Sequence, residues 1–200
     1  MGLEVPFGSV RPVRTRLATN DDAEAIRVIY NAEVVGSTVT FDMVPRSPSD
    51  QLAWLVEHGG AHPAIVAVDE NEGREDAGES GDSGGVVGGE VVGGRVVGGV
   101  LGFASVSPYR NRPAYSTTVE DSVYVRPDCR GQGVGRLLLS DLVELTAAHG
   151  FHCVMARIVG GHEASIALHR SCGFQLVGVE REVGRKFGRW LDVVVMQRLL

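Results

Sequence analysis

Val123-Tyr124-Val125-Arg126-Pro127-Asp128-Cys129-Arg130-Gly131-Gln132-Gly133-Val134-Gly135-Arg136 reads as a strand that runs through a glycine-rich turn into a helix. A turn of this kind aims several unpaired backbone N–H groups at one point, and the positive end of the helix dipole reinforces them. The result is an anion site suited to a pyrophosphate. Two common nucleotide loops do not fit. No Gly-Lys-Ser/Thr follows, as a P-loop requires, and Arg136 stands where the third glycine of a dinucleotide fingerprint belongs.

Upstream, the strand Thr117 to Val125 alternates. Thr118, Glu120, Ser122 and Tyr124 share one face; Val119, Val123 and Val125 share the other, beside Asp121. Downstream, Gly135 to His149 is an amphipathic helix with Leu138, Leu142 and Leu145 inward, stopped at Gly150. Nearer the N-terminus, Val13 to Leu17 reads as a strand, and Thr19-Asn20-Asp21-Asp22 as a capping-box-like start to a helix buried through Ile26, Ile29 and Tyr30. Ser47-Pro48-Ser49-Asp50 starts a second helix, with Leu52, Leu55 and Val56 as its inward stripe and Gly59-Gly60 as its end. Strands follow at Ala64 to Val68 and Val100 to Ser107. After the glycine-rich turn come a strand at Cys153 to Ile158, a helix at Ala164 to Cys172 ended by Gly173, and strands at Gln175 to Val183 and Leu191 to Leu199. The order predicts a mixed α/β domain with one βαβ crossover in an otherwise largely antiparallel sheet.

Two hundred residues with 44% hydrophobic content fit a single domain, here residues 1–200. Residues 70–99 are unlike the rest. They pass from an acidic polar stretch into the repeat VVGGE, VVGGR, VVGGV, read as an expanded hairpin connection of low complexity. A net charge of −6 without a block of Lys or Arg argues against nucleic acid as a partner and favours a small molecule. Three widely spaced cysteines form neither a disulfide framework nor a metal pattern, which fits a reducing cytoplasm. No run approaches the roughly 18 apolar residues of a membrane span.

Arg130-x-x-Gly133-x-Gly135 resembles the R/Q-x-x-G-x-G/A coenzyme A loop of the GNAT superfamily, whose α/β fold the element order matches. Further blocks are similar to its phosphinothricin and methionine sulfoximine N-acetyltransferase branch. They are Ser37-Thr38-Val39-Thr40-Phe41, Arg112-Pro113-Ala114-Tyr115, Val119-Glu120-Asp121-Ser122-Val123-Tyr124-Val125, Leu168-His169 with Gly173-Phe174, and Gly188-Arg189-Trp190-Leu191-Asp192-Val193. The resemblance implies a cytoplasmic homodimer that transfers acetyl from acetyl-CoA, without a metal, to the amine of a small amino-acid-like substrate. It also implies that Arg130, Gly131, Gln132, Gly133, Val134, Gly135 and Arg136 hold the pyrophosphate, and that Val123, Tyr124 and Val125 pair with the pantetheine arm. His162, where the family often has Asn, and Ser165 complete the coenzyme site. Leu191 follows Trp190 where the family often has His, so substrate preference stays open.

Amide formation from a thioester needs a neutral amine, and an α-ammonium must first lose a proton. The resemblance gives that task to Glu120. A strand N–H near Val125 is the implied oxyanion donor. His169 occupies the slot where the broader superfamily commonly places a Tyr that assists the leaving thiolate; acid and second base are both open to it. Arg112 and Tyr115 are candidates for gripping a substrate carboxylate or phosphinate, and Phe41 for walling the pocket. Two other readings compete: acetylation of a polyamine, aminoglycoside or protein N-terminus, and an acetyl-CoA sensor without chemistry.

Overall fold

In the computed structural model the described residues are 12–69 and 99–200, together with the backbone of 90–92 and 95–97. β1 (Val13–Leu17) leads through a single 3-10 turn into α1 (Ala23–Gly36), then come α2 (Pro48–Glu57) and β2 (Ala64–Asp69). Two short strands, β3 (Glu90–Val92) and β4 (Arg95–Val97), pair with each other as a separate antiparallel ribbon. They lie inside the repeat; residues 70–89, 93–94 and 98 of that connection are outside the described residues. β5 (Val100–Pro108), β6 (Thr118–Val125), α3 (Val134–Ala148), β7 (Cys153–Val159), α4 (Glu163–Ser171), β8 (Gln175–Lys186) and β9 (Arg189–Leu199) complete the chain.

The seven-stranded sheet has the order β1-β2-β5-β6-β7-β9-β8. Every pairing is antiparallel except β6 with β7, which α3 joins as the predicted crossover. Helices cover both faces. Leu138, Leu139 and Leu142 of α3 and Ile166 of α4 pack on Ala104, Val119, Val154 and Met196. On the other face Ile26, Ile29, Tyr30 and Val34 of α1 meet Leu55, Val66 and Phe103. Each such large side chain taken fully out of water stabilises the fold by roughly 1.5–3 kcal/mol before chain entropy is subtracted.

The local signals explain the helix starts. Asp22 accepts from the Thr19 N–H at 2.8 Å while also holding Arg16 through both carboxylate oxygens, at 2.7 and 2.8 Å. Ser47 and Asp50 exchange bonds as a capping box with Pro48 at the first position. The inward face of α2 differs from expectation. Leu52 and Val56 are exposed, at 45% and 79%, while Gln51 is fully buried and Leu55 nearly so. Two stripes at helical spacing share Leu55, and tertiary contacts choose between them. Trp54 packs edge-on against Phe103 at 5.8 Å and stacks on His58 at 4.0 Å, which turns Leu52 and Val56 outward. The predicted strand from Gln175 is longer than expected: β8 runs three residues beyond Val183, past an irregular register between Glu180 and Gly184 where Glu182 takes φ 51°.

One departure from regular pairing positions everything that follows. β6 and β7 pair only at Thr118↔Cys153, Val119↔Val154 and Glu120↔Met155. Beyond that rung β6 stays with β5 as far as Gly102↔Val125, and β7 stays with β9 as far as Val159↔Val193. The sheet therefore splits into two halves with a wedge between them.

Candidate active site

The wedge is a cleft of about 420 Å³. Its two strand walls are Asp121 to Val125 of β6 and Ala156 to Val159 of β7; the glycine-rich turn closes one end, and His162, Ser165, Leu168 and His169 of the α4 region lie along it. Each strand's edge groups inside the split have lost their neighbour, so an extended ligand can pair with them as a strand would. That is the geometry expected for the arm of a coenzyme.

At the turn, Gly131 and Gly133 have φ values of 73° and 86°, which a residue with a Cβ adopts only at a cost. Gly133 caps α3, and the first intrahelical bond runs from the Leu137 N–H to its carbonyl at 3.0 Å. The N–H groups of Val134, Gly135 and Arg136 therefore precede the helical ladder, and the helix dipole adds to their pull on an anion. Gly135 and Arg136 line the cleft; the Val134 side chain is buried in the core and only its backbone serves the turn. Gln132 points back and donates to the Asp128 carbonyl at 2.9 Å, away from the cleft lining. The Arg130 guanidinium donates Nε–H to the Val125 carbonyl at 3.1 Å and pairs with Glu33 of α1, whose other oxygen accepts from Ser37 at 2.6 Å. It thus ties the turn to the end of β6 and to α1. His162 lines the cleft as a neutral imidazole, since burial first and Arg130 second hold its pKa below the ordinary value.

Glu120 occupies the last paired rung, opposite Ser107 on one side and Met155 on the other, immediately behind the point where the cleft opens. Burial pushes its carboxyl above the usual carboxylate range; Arg157 and Arg110 oppose, while Asp121 and Glu180 reinforce. A carboxylate raised in this way is, once ionised, a better proton acceptor than a solvated one. Arg157 itself is anchored to Glu180 at 2.6 Å.

Asp121 turns to the opposite face of β6, towards α4. Its Oδ2 lies 3.0 Å from His169 Nε2, and His169 Nδ1 lies 2.7 Å from the Ser165 carbonyl one turn earlier. Both side chains are buried. Burial opposes the charge on His169, but the Asp121 carboxylate and the two hydrogen bonds outweigh it and raise the imidazole pKa. Both ring nitrogens are thus engaged by groups of the protein.

Of the remaining predicted residues, Tyr124 lines the cleft from the α1 side, stacked on Phe103 at 5.2 Å and edge-on to Tyr30 at 5.1 Å. Phe41, 41% exposed, lays its ring where a side chain at position 184 would be, which docks the α1–α2 connection on β8. Tyr115 pairs edge-on with Tyr109, and Arg110 sits over both rings, at 4.9 Å from the Tyr109 centroid and 5.8 Å from that of Tyr115. Arg112 is exposed at the start of the same turn. Phe41, Arg112 and Tyr115 are all outside the cleft lining. Asp121, Glu33, Arg157 and Arg110 carry site electrostatics that the sequence reading did not assign. Asp121 was legible as the one acid on an otherwise apolar strand face; the partners of Glu33 and Arg157 lie 97 and 23 residues away and left no local signal.

Comparison with known proteins agrees with this geometry. Residues 46–174 match the profile of the "Acetyltransferase (GNAT) family". A phosphinothricin N-acetyltransferase of Streptomyces coelicolor is 37% identical over 190 residues, covering 94% of this chain and 96% of the relative. An L-methionine sulfoximine/L-methionine sulfone acetyltransferase of Pseudomonas aeruginosa is 37% identical over 177 residues, 88% of each chain. The crystal structure of a GNAT superfamily phosphinothricin acetyltransferase from Sinorhizobium meliloti in complex with AcCoA superposes with a TM-score of 0.77 at 37% identity, covering 94% of this chain and 88% of that one.

Proposed function

Because the chain belongs to the acetyltransferase (GNAT) family and is an N-acetyltransferase, we propose that it acetylates the α-amine of a small amino-acid-like substrate of the phosphinothricin or methionine sulfoximine type, with acetyl-CoA as donor. The observation that carries this reading is the split between β6 and β7. It ends at the glycine turn on one side and at Glu120 on the other.

The turn's free N–H groups, at Val134, Gly135 and Arg136, suit the coenzyme's pyrophosphate, with His162 and Ser165 beside it. The unpaired edge of Val123 to Val125 suits the amide groups of the pantetheine arm, and a backbone N–H near Val125 the developing oxyanion. Glu120 accepts the proton that turns the acceptor ammonium into a nucleophilic amine. Arg110, aligned by the Tyr109 and Tyr115 rings and acting on Glu120, is better placed than Arg112 for the acid group of the substrate.

A panel assay of free-thiol release tests the substrate class. Phosphinothricin, methionine sulfoximine and methionine sulfone should turn over more efficiently than amines without an acid group, because only they offer the Arg110 guanidinium an anionic partner. Equal turnover of a polyamine or a peptide N-terminus would overturn this reading.

The enzyme works in the cytoplasm as a homodimer in this proposal. Two features support it. All three cysteines are buried free thiols, and the β8–β9 ribbon at the sheet edge exposes Leu176, Val177, Val179, Val183, Phe187 and Trp190 at 51% or more each. An apolar edge of that kind is an association surface. Light scattering should give twice the chain mass, and a double change Val179→Lys with Val183→Lys should give the chain mass; a monomeric wild type would sink the dimer.

A further inference from the structure

Both ring nitrogens of His169 face oxygens. The Ser165 carbonyl can only accept, so Nδ1 carries a proton. Asp121 Oδ2 lies 3.0 Å from Nε2, and a second proton must sit between those two atoms. Drawn as imidazolium with carboxylate or as imidazole with carboxylic acid, the pair holds one proton more than a neutral histidine beside an ionised aspartate. The two side chains are only 5% and 1% exposed. Asp121 Oδ1 is buried and meets no hydrogen-bond donor among the described residues, although Asp121 lines the cleft. A buried carboxylate oxygen is costly to leave unmet, so it awaits a donor that the chain does not supply.

We propose that Asp121 and His169 form the proton donor for the departing coenzyme sulfur, with Asp121 the member facing the reacting atoms and His169 the store behind it. This rests on the acetyl transfer proposed above. As the acceptor nitrogen forms its bond to the carbonyl carbon, the C–S bond breaks and its electron pair stays on sulfur. The proton passes from His169 Nε2 to Asp121 Oδ2, the neutral carboxyl turns so that this oxygen leaves the imidazole, and its proton passes to sulfur. A free thiol results, with neutral imidazole beside a carboxylate. Two protons leave the substrate nitrogen by way of Glu120, and one re-enters the dyad from solvent before the next turnover, so one is released per amide formed. Glu120 and Asp121 are successive residues of β6 and point to opposite faces, which puts base and acid on opposite faces of the sheet where the split begins. The charged and titratable groups around the dyad are His162 at the start of α4, Arg157 of β7 and Glu120 of β6; the Phe174 ring packs edge-on against His169 at 5.1 Å.

Asp121→Asn keeps a hydrogen bond, because an amide N–H can donate to neutral Nε2, and removes the extra proton. With acetyl-CoA its kcat should fall about 10²-fold, with KM for acetyl-CoA changed by less than about threefold. With the acetyl thioester of an acidic aryl thiol, whose thiolate leaves without a proton, the loss should shrink to below about fivefold. His169→Asn should behave alike. The donor form is the protonated one, so wild-type kcat is lost as pH rises through the dyad's apparent pKa. In Asp121→Asn the alkaline limb moves to lower pH. Equal losses with both thioesters, or an unchanged rate and pH profile, would overturn the proposal. Nitrogen-15 and carboxyl carbon-13 NMR of the wild type reads the dyad without a variant: a protonated Nδ1 together with one proton shared by Nε2 and the Asp121 carboxyl is expected, and a neutral imidazole beside an ionised Asp121 overturns it. Failure of the wild type to acetylate any amine would instead remove the transferase reading, and the NMR result would still stand.

Discussion

Glu120→Gln is expected to lower kcat by about 10²–10⁴-fold, the range for loss of a positioned general base. The acetyl-CoA-induced rise in melting temperature should stay, since the cleft lining begins one residue later, at Asp121. The sign of its stability effect follows from the raised carboxyl pKa. A carboxyl whose pKa is higher folded than unfolded destabilises the fold when ionised, and that cost is present above the folded pKa. Gln removes it, so the variant should melt no lower than the wild type at neutral pH. In the wild type the acid limb of kcat should lie above the ordinary carboxylate range, activity falling as pH drops through it. Full activity in Glu120→Gln, or a large loss of coenzyme binding, would take the base role away from Glu120.

Gly102→Ala should damage the same cleft from behind. A Cβ at position 102 would sit 2.6 Å from the Tyr124 carbonyl oxygen and 3.2 Å from the Val125 Cα, both backbone atoms, and 3.2 Å from Leu138 Cδ1. β5 and β6 must part at the rung that presents Tyr124 and Val125 to the cleft. Overpacking of this kind costs about 1–3 kcal/mol, which for a chain of this size is a fall of roughly 3–10 °C in melting temperature. Acetyl-CoA affinity should weaken by about tenfold as the strand edge shifts, a loss of about 1.4 kcal/mol. Gly36→Ala is the control: nothing lies within 4 Å of its Cβ position and its φ is not positive. Calorimetry and coenzyme titration of the two variants together check this, and equal behaviour would show that the close approach of β5 to β6 does not shape the site.

The elements most legible in the sequence were those fixed by neighbours in the chain. Capping at Thr19 and Ser47, the helical stripe of Leu138 and Leu142, and the glycines of the turn after β6 act over a few residues, so spacing alone reveals them. The face of α2 was not legible, because Gln51 and Leu52 offer alternative stripes that only the packing of Trp54 on Phe103 separates. The hairpin extension of β8 was hidden by the irregular residues around Glu182.

By itself, then, the sequence determined the order of strands and helices, the anion-binding turn and the strand that bears Glu120, since hydrophobic period, capping and glycine placement are local properties. Only the tertiary structure decided where β6 parts from β7, that Glu33 holds Arg130, and that Asp121 takes the inner nitrogen of His169. Those depend on groups 48 and 97 residues apart along the chain meeting once the fold is assembled. No spacing along the chain encodes such meetings, because burial and charge are set by the assembled neighbours.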